Sequence, residues 1–194
     1  MELRIALLQL LPGKTLEDNL SAGVKACKEA KAKGADIALF PEMWSDGYYL
    51  PQDEEHVKHL AIGKDSDFVN KFRDLAAGLN MAIGITLLEA HDPRPLNSVI
   101  FFDRTGKEIL HYSKVHICAF SDEVVLSEGE DFYTADLDFG RGCRGNRHGQ
   151  RILVCCREKA EAEARKVRED SGAGQLSRNR RARHRHSQRP QFRL

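Results

Sequence analysis

The stretch ALFPEMW, residues 38–44, decides how the amino-terminal part of this chain folds. Its apolar start, led in by Gly34, predicts a short buried strand over residues 35–40. Proline cannot continue a central strand, so Glu42 is expected just past the carboxyl end of that strand. Ligands bind at this end of open α/β sheets, which makes Glu42 a candidate general base. A helix N-cap or a surface ion pair is the alternative role for the same carboxylate.

The segment before this stretch completes a strand–helix–strand unit. Residues 3–11 are almost continuously apolar and predict a central strand that is buried on both faces. Thr15 offers an N-cap hydroxyl, with Asp18 three residues later, and apolar residues then recur at helical spacing until Gly34 ends the helix. A strand, a helix and a strand in close succession indicate a parallel pair of strands.

Downstream segments predict an α/β fold with a mixed sheet. Apolar residues at helical spacing predict an amphipathic helix over residues 67–79. Strands are predicted over 81–88, 96–102, 109–112 and 132–137. The turn sequence at 103–106 joins the second and third of these as a hairpin. Segments 45–55 and 121–130 are predicted to be loops, and the aromatic residues of the first are placed either to line a pocket or to pack on the surface.

Lys114 is a second candidate functional residue. It comes directly after the predicted hairpin strand, in the segment HYSKVHIC, residues 111–118. A single lysine at such a place is usually solvated, so an ordinary surface residue is the alternative.

Charge divides the chain near Gly140. Residues 1–140 contain 14 Lys+Arg and 24 Asp+Glu, a formal charge of −10, whereas residues 141–194 contain 16 and 5, a charge of +11. Arginine also replaces lysine, from 4 Arg and 10 Lys before the break to 14 Arg and 2 Lys after it. We interpret the break as the boundary between an α/β domain and an Arg-rich tail.

Cysteine spacing and apolar runs bear on the compartment. The five cysteines show no paired spacing typical of a zinc site; they are Cys27, Cys118, Cys143, Cys155 and Cys156. The apolar run at 3–11 is too short for a secretory signal, and no run approaches the roughly 20 residues that span a bilayer. We therefore expect a cytoplasmic protein with reduced thiols and no membrane segment.

Three motifs, in this order, resemble the carbon–nitrogen hydrolase (nitrilase) superfamily over residues 3 to about 140. FPE at 40–42 is similar to the catalytic-glutamate motif of that family. NS at 97–98, with the turn at Gly106, is similar to its hairpin, and YSKVH at 112–116 to its lysine motif. The resemblance implies the amino-terminal half of an αββα sandwich with a mixed β-sheet.

The same resemblance implies a hydrolase that cleaves amides, nitriles or N-carbamoyl groups with a glutamate, a lysine and a cysteine. By this match Glu42 is the base, Lys114 is the cation, and Glu123 stands where the family often places a second glutamate. A carboxylate activates a thiol by taking its proton, and a lysine offers positive charge to the developing oxyanion. The resemblance also implies a small-molecule amide or carbamoyl substrate, no cofactor or metal, and a homo-oligomer. Residues 114–138 resemble the carbamoyl-amine hydrolases, which implies the N-carbamoyl-amine branch.

The chain departs from the family pattern at the cysteine. After the strand that ends near Phe139, the pattern has another strand, a cysteine and an acidic residue, followed by a proline-containing stretch. Residues 141–147 read RGCRGNR instead, and the nearest counterpart is ILVCCRE at 152–158, displaced and without the proline. Cys155 and Cys156 are therefore the candidate nucleophiles, and a truncated, inactive hydrolase is the expected state of this chain.

Three interpretations of residues 141–194 are open. Seven arginines between Arg178 and Arg193 could neutralise phosphates, which would make the protein a non-enzymatic α/β scaffold with a nucleic-acid-binding arm. The segment could equally be a disordered, solvated tail. We favour a frame-shifted or misjoined end, because the composition changes in mid-motif without a linker. On that interpretation neither nucleic acid nor a membrane is an expected partner.

Overall fold

The computed structural model describes residues 3–118, 121–137 and 150–153. Its elements are β1 (Ile5–Leu7), α1 (Leu16–Ala32), β2 (Ile37–Leu39), α2 (Glu54–Leu60), α3 (Asp67–Leu79), β3 (Ala82–Glu89), β4 (Leu96–Phe102), β5 (Glu108–Ser113), a 3₁₀ helix (Asp122–Val125), β6 (Thr134–Leu137) and β7 (Gln150–Leu153). Apart from β7, the Arg-rich tail predicted at residues 141–194 lies outside the described residues.

Helix α1 begins where the sequence predicts and α3 has the predicted bounds, whereas the C-cap of α1 is Lys33, one residue before the predicted Gly34. The Thr15 hydroxyl accepts a hydrogen bond from the Asp18 amide and the Asp18 carboxylate accepts one from the Thr15 amide, so both halves of a capping box are present. Gly34, with a φ of 84°, takes the left-handed conformation that commonly follows a helix. Helix α3 starts after the N-cap Ser66 and ends at Asn80, whose φ is 47°.

A mixed sheet of five strands, in the order β1-β2-β3-β4-β5, forms the centre of the described structure. β1 pairs with β2 in parallel, and β2 pairs with β3 in parallel, with Ala38 opposite Ile83. β3, β4 and β5 are antiparallel neighbours, and the β4–β5 hairpin turns at Gly106, whose φ is 82°. The predicted parallel start, the hairpin and the mixed sheet are confirmed.

Helices α1 and α3 cover one face of this sheet. Phe72 of α3 packs against Phe40, with ring centroids 5.0 Å apart. Cys27 of α1 and Ile85 and Ile100 of the sheet are buried in the same cluster. Each large side chain buried in this way stabilises the fold by roughly 1.5–3 kcal/mol. This core fixes the sheet against which the loops after the strands are placed.

A second apolar cluster fixes the loops at one end of the sheet. It joins the loop after β2 to α2, β3 and the 3₁₀ helix through Met43, Leu50, Val57, Leu88 and Val125, all of which are buried. Leu88 points to the face of β3 opposite Leu87, because side chains alternate along a strand. The loop that carries Glu42 is therefore packed rather than free.

β6 and β7 form a second, antiparallel sheet of two strands, with Ala135 opposite Ile152. Tyr112, on the face of the main sheet away from the helices, stacks on Phe132, and their ring centroids lie 6.2 Å apart. Ala135 and Leu137 of β6 are buried.

Two predicted elements differ from the structure. Residues 3–11 predict a central strand buried on both faces, and this is wrong, because β1 has only three residues and lies at the edge of the described sheet. Ile5 and Leu7 are 50% and 67% exposed. An apolar run does not reveal whether a strand has one neighbour or two. Helix α2 begins in the predicted loop 45–55, with Asp53 as its N-cap, and its seven residues are too few to show a helical period.

Candidate active site

Glu42 follows β2, and Thr86 of β3 bonds to the backbone before and after it. The Thr86 hydroxyl donates a hydrogen bond to the Pro41 carbonyl and accepts one from the Trp44 amide at 3.0 Å. Between them Met43 is fully buried and has a φ of 47°, a left-handed conformation that is uncommon for residues other than glycine. Glu42 therefore projects from a fixed turn, and its side chain is 48% exposed.

Asn97 and Lys114 lie opposite each other at one end of the β4–β5 hairpin. The Lys114 amide donates to the Asn97 carbonyl at 2.8 Å, which continues the ladder in which Ser98 pairs with Ser113. The Gly129 amide donates to the Lys114 carbonyl, also at 2.8 Å. The backbone of Lys114 is thus held from two sides, and the side chains of Asn97 and Lys114 leave the sheet on the same face.

The structure brings the three predicted site residues together around one ammonium group. Lys114 Nζ donates to Glu123 Oε1 at 2.8 Å and to Glu42 Oε1 at 3.2 Å. Asn97 Nδ2 donates to the same Glu42 oxygen at 2.6 Å and reaches Glu123 Oε1 at 3.5 Å. Within the described part of the chain, no group donates to the second carboxylate oxygen of Glu42. Glu42 therefore has one anchored oxygen and one that is open to a reacting proton, and it caps no helix there.

Glu123 is fully buried and has several hydrogen-bond donors. Its Oε1 accepts from Lys114 and from the Tyr48 hydroxyl at 2.7 Å, and its Oε2 accepts from the Cys118 amide at 2.7 Å. Burial alone would raise the pKa of this carboxyl, but the hydrogen bonds from Lys114, Cys118 and Tyr48 outweigh it and lower the pKa below its usual value. Glu123 is therefore a fixed negative charge at neutral pH.

Lys114 and Tyr48 are held in their proton-bearing forms. The Lys114 side chain is 19% exposed, and burial alone would lower its pKa. The hydrogen bond to Glu123 and the charges of Glu42 and Glu123 outweigh this and raise the pKa above its ordinary value. Burial, and then the hydrogen bond to Glu123, raise the pKa of the Tyr48 phenol. The cluster thus places one cation, Lys114, and two neutral donors, Tyr48 and Asn97, beside the carboxylate of Glu42. Chemically, a carboxylate can accept a proton and an ammonium group can stabilise a developing oxyanion.

A thiol nucleophile would complete such a site, and the described residues include two cysteines, Cys27 and Cys118. Cys27 is fully buried in the helix-covered core, where burial raises the pKa of its thiol to about 12, so it is unreactive. Cys118 is half-buried, and its amide bonds to Glu123. Cys143 and the candidate nucleophiles Cys155 and Cys156 lie outside the described residues.

Asn97 and Tyr48 belong to the cluster although the motifs do not single them out as site residues. Asn97 is part of the hairpin motif, but its place beside Glu42 follows from the β4–β5 register, which the sequence does not specify. Tyr48 adopts a φ of 63° directly after Gly47, whose φ is 72°. The signal for Tyr48 was its place among the aromatic residues of a predicted loop.

The described residues offer neither a metal site nor a membrane-spanning helix. Across 3–118, 121–137 and 150–153, no three or more His, Cys, Asp or Glu side chains are grouped so that they could hold a metal ion. The helices described there are all too short or too polar to cross a bilayer.

The sequence matches the model of the carbon-nitrogen hydrolase family over residues 4–185. This range covers most of the 194 residues and includes Glu42, Lys114 and Glu123. The chain therefore belongs to the carbon-nitrogen hydrolase family. The matched range continues beyond Gly140, and the division of the chain at that residue stays a prediction.

Relatives with a curated description cover only part of the chain and of their own length. N-carbamoylputrescine amidase of Arabidopsis thaliana is 29% identical over 118 residues, which are 60% of this chain and 39% of the relative. The chloroplastic omega-amidase of the same plant is 26% identical over 147 residues, 71% of this chain and 40% of the relative. The chain thus spans about two fifths of the length of these two relatives.

Solved structures share the fold. An amidase from Nesterenkonia sp. superposes with a TM-score of 0.57 at 22% identity, covering 78% of this chain and 54% of the amidase. Saccharomyces cerevisiae Nit3, a member of the nitrilase superfamily, gives a TM-score of 0.59 at 24% identity, covering 71% of this chain and 52% of Nit3. One structure of a Nesterenkonia amidase mutant carries acrylamide added to the active-site cysteine. The predicted nitrilase-type α/β fold is confirmed.

Proposed function

We propose that this chain carries the base and the cation of a hydrolase that cleaves non-peptide amide or N-carbamoyl C–N bonds, with Glu42 as base and Lys114 as cation. The observation that carries the proposal is the sharing of one ammonium group, Lys114 Nζ, between the partly exposed Glu42 and the buried Glu123. Lys114 is thereby kept charged and in place, while Glu42 keeps an open oxygen.

In the first step a cysteine thiol attacks the carbonyl carbon and Glu42 accepts the thiol proton. A free thiol has a pKa near 8.5 and is mostly protonated at neutral pH, so the carboxylate is needed. The C=O π electrons move to the carbonyl oxygen, and Lys114 stabilises the resulting oxyanion. Removal of one such donor in other enzymes costs roughly 3 kcal/mol.

In the second step the C–N bond breaks, and Glu42 returns its proton to the leaving nitrogen. A water molecule then attacks the thioester carbonyl while Glu42 takes a proton from it. The C–S bond breaks, the acid product leaves, and Glu42 gives that proton to the sulfur, which restores the cysteine thiol. Glu42 acts in both directions, which suits a carboxylate with one anchored and one open oxygen. Glu123 holds Lys114 in position and exchanges no proton, because it is ionised and fully bonded.

The N-carbamoyl branch is the substrate class we favour. Residues 114–138 resemble the carbamoyl-amine hydrolases, and N-carbamoylputrescine amidase is among the relatives. Amidases and omega-amidases are also among them, so simple amides belong in the same assay. By the same family resemblance, we expect a homo-oligomer.

We further propose that the 194-residue polypeptide by itself has little or no turnover. Residues 152–158, which hold Cys155 and Cys156, resemble the family's cysteine segment only in part, because they are displaced and lack the proline. The chain also spans about two fifths of the length of the two plant relatives. Assays of the purified chain on amides and N-carbamoyl amines test this directly. Product formation that scales with protein concentration, and that is lost on alkylation of Cys155 and Cys156, would overturn it.

The catalytic assignment is tested in a fusion protein. Residues 1–140 are fused to the carboxyl-terminal half of an active family amidase, which supplies the cysteine, and hydrolysis is measured. We expect turnover in the fusion and a loss of at least about a hundredfold in Glu42→Gln. Glu55→Gln is the matched control, because the Glu55 side chain is exposed and forms a surface pair with Lys58 at 3.9 Å. Full activity in Glu42→Gln would refute the assignment.

A further inference from the structure

Four polar side chains lie on the face of the sheet opposite the candidate active site. They are Glu89 of β3, Ser98 of β4, and His111 and Ser113 of β5, and we call them the clasp. Glu89 is 7% exposed and Ser98 is 2% exposed, so this is a buried polar group on the helix-covered face rather than a surface feature. The proposed hydrolase mechanism uses none of the four.

The clasp is a connected set of hydrogen bonds across three strands. His111 Nε2 bonds to Glu89 Oε2 at 2.7 Å, and Ser98 bonds to the same carboxylate. The Ser98 and Ser113 hydroxyls are 2.9 Å apart. His111 and Ser113 lie two residues apart on β5 and therefore share a face. The hydrogen bonds thus run from β5 through β3 and β4 and back to β5.

The clasp is built on the immediate chain neighbours of two candidate site residues. Ser98 follows Asn97, and Ser113 precedes Lys114. Successive side chains on a strand point to opposite faces. Ser98 and Ser113 therefore meet on the helix-covered face, and Asn97 and Lys114 project from the opposite face. The hydrogen bond from the Lys114 amide to the Asn97 carbonyl, 2.8 Å long, lies between the two layers.

Charge makes the clasp sensitive to protonation. Burial alone would raise the pKa of Glu89, but hydrogen bonds from His111 and Ser98 outweigh it and lower the pKa. The hydrogen bond from Glu89 is the main cause that raises the pKa of His111, against the effect of burial. Glu108 on β5 also raises it, and Lys64, before α3, opposes it. The ion pair is complete when His111 is protonated and is lost as pH rises through the pKa of His111.

We propose that Glu89, Ser98, His111 and Ser113 act as positioning residues that hold the ends of β4 and β5, and with them Asn97 and Lys114, in register for the site. The role of this register in hydrolysis rests on the function proposed above. The claim that the clasp fixes the register is independent of that function.

The experiment is amide hydrogen exchange on the full chain, followed by NMR. The reporter is the Lys114 amide, and the internal reference is the Ala82 amide, which donates to the Asp36 carbonyl at 3.0 Å at the other end of β3. In Glu89→Gln and in His111→Gln we expect the Lys114 amide to exchange about tenfold faster than in the wild type, with Ala82 unchanged. His59→Gln, which alters an exposed histidine, is the matched control and is expected to change neither amide.

The wild type supplies a second measurement that needs no variant to fold. The imidazole resonance of His111 is titrated, and the exchange rate of Lys114, corrected for its intrinsic pH dependence, is followed over the same range. We expect protection of Lys114 to fall as His111 loses its proton, and Ala82 to stay constant. An equal change at both amides, or no change at Lys114 across the titration, would overturn the proposal. Neither measurement needs turnover, so a failed hydrolase assay and a failed clasp give different results.

Discussion

Replacing Lys114 with methionine is expected to destabilise the protein by about 3 kcal/mol at pH 7. Methionine keeps the apolar stem but removes the ammonium group that bonds to Glu123 at 2.8 Å. Breaking a buried ion pair by removing one partner costs roughly 3–5 kcal/mol, because the other charge stays buried without compensation. We take the low end because Glu123 keeps the Tyr48 hydroxyl and the Cys118 amide as donors.

Urea unfolding followed by tryptophan fluorescence measures this loss. Trp44 is the single tryptophan, is 1% exposed and lies two residues from Glu42, so its emission reports on the site and on the core together. With a slope of about 2 kcal/mol per molar urea, the midpoint should fall by about 1.5 M. The control Lys58→Met removes a surface pair and should cost under about 0.5 kcal/mol. Lys114→Met combined with Glu123→Gln should recover most of the loss, because no buried charge is left.

The pH dependence has a definite sign. In the wild type the lowered pKa of Glu123 gives stability that is present above its unfolded pKa of about 4.3 and is lost as pH falls through the folded value. In Lys114→Met burial is no longer offset by the ammonium, so Glu123 takes up a proton more readily. The difference between the two proteins should therefore be largest near pH 7 and shrink towards pH 4. A loss below about 1 kcal/mol at pH 7, or one equal at both pH values, would refute the reasoning.

Three further outcomes are expected. Burial raises the pKa of Asp46 to about 6, and its Oδ1 is buried without a partner among the described residues. The stability that Asp46 contributes is therefore lost as pH rises through about 6. In Asp46→Asn the melting temperature should vary less between roughly pH 4 and 6 than in the wild type, and it should be higher than that of the wild type at pH 7. Gly23→Ala should destabilise by about 1–3 kcal/mol in urea unfolding, because a Cβ would lie 2.8 Å from the Phe72 ring. Gly78→Ala, in open space on α3, should instead stabilise by about 0.5–1 kcal/mol, and the same sign for both would contradict the packing argument. On oligonucleotides the Arg-rich tail, residues 141–194, should bind weakly, without sequence preference, and release by physiological salt; sequence discrimination there would favour the nucleic-acid-binding alternative.

Much of the fold follows from local signals. Thr15 and Asp18 start α1, Gly34 follows its end, and the apolar stripe of 67–79 gives α3 with the observed bounds. These features depend on capping and periodicity, which a few neighbouring residues determine. The edge position of β1 cannot be predicted from local signals, because the number of neighbours that a strand has is a property of the whole sheet.

The candidate site was predicted in its charged residues and missed in its neutral ones. Glu42 and Lys114 stand in motifs and Glu123 follows at the family spacing, but nothing local indicates that Glu123 would be 0% exposed and bonded from three sides. Asn97 and Tyr48 reach the cluster from β4 and from a loop, across 26 and 75 residues of chain to Glu123. The clasp likewise joins three strands through side chains whose pairing depends on register, which the sequence pattern leaves open.

Backbone strain beside the site opposes thermal stability to the geometry of the site. The non-glycine residues with left-handed backbone in the described ranges are Met43, Tyr48 and Asn80. Asn80 caps a helix, where this conformation is common, but Met43 and Tyr48 lie in the loop that follows Glu42, and each costs on the order of 1 kcal/mol. At position 43 glycine would relieve the strain but remove a fully buried side chain at a cost of roughly 2–5 kcal/mol, so directed evolution for heat resistance alone would favour glycine only at the exposed position 48. Tyr48→Gly would also remove the phenol that bonds to Glu123. Variants selected for heat resistance should therefore lose the geometry of the site before they lose the fold.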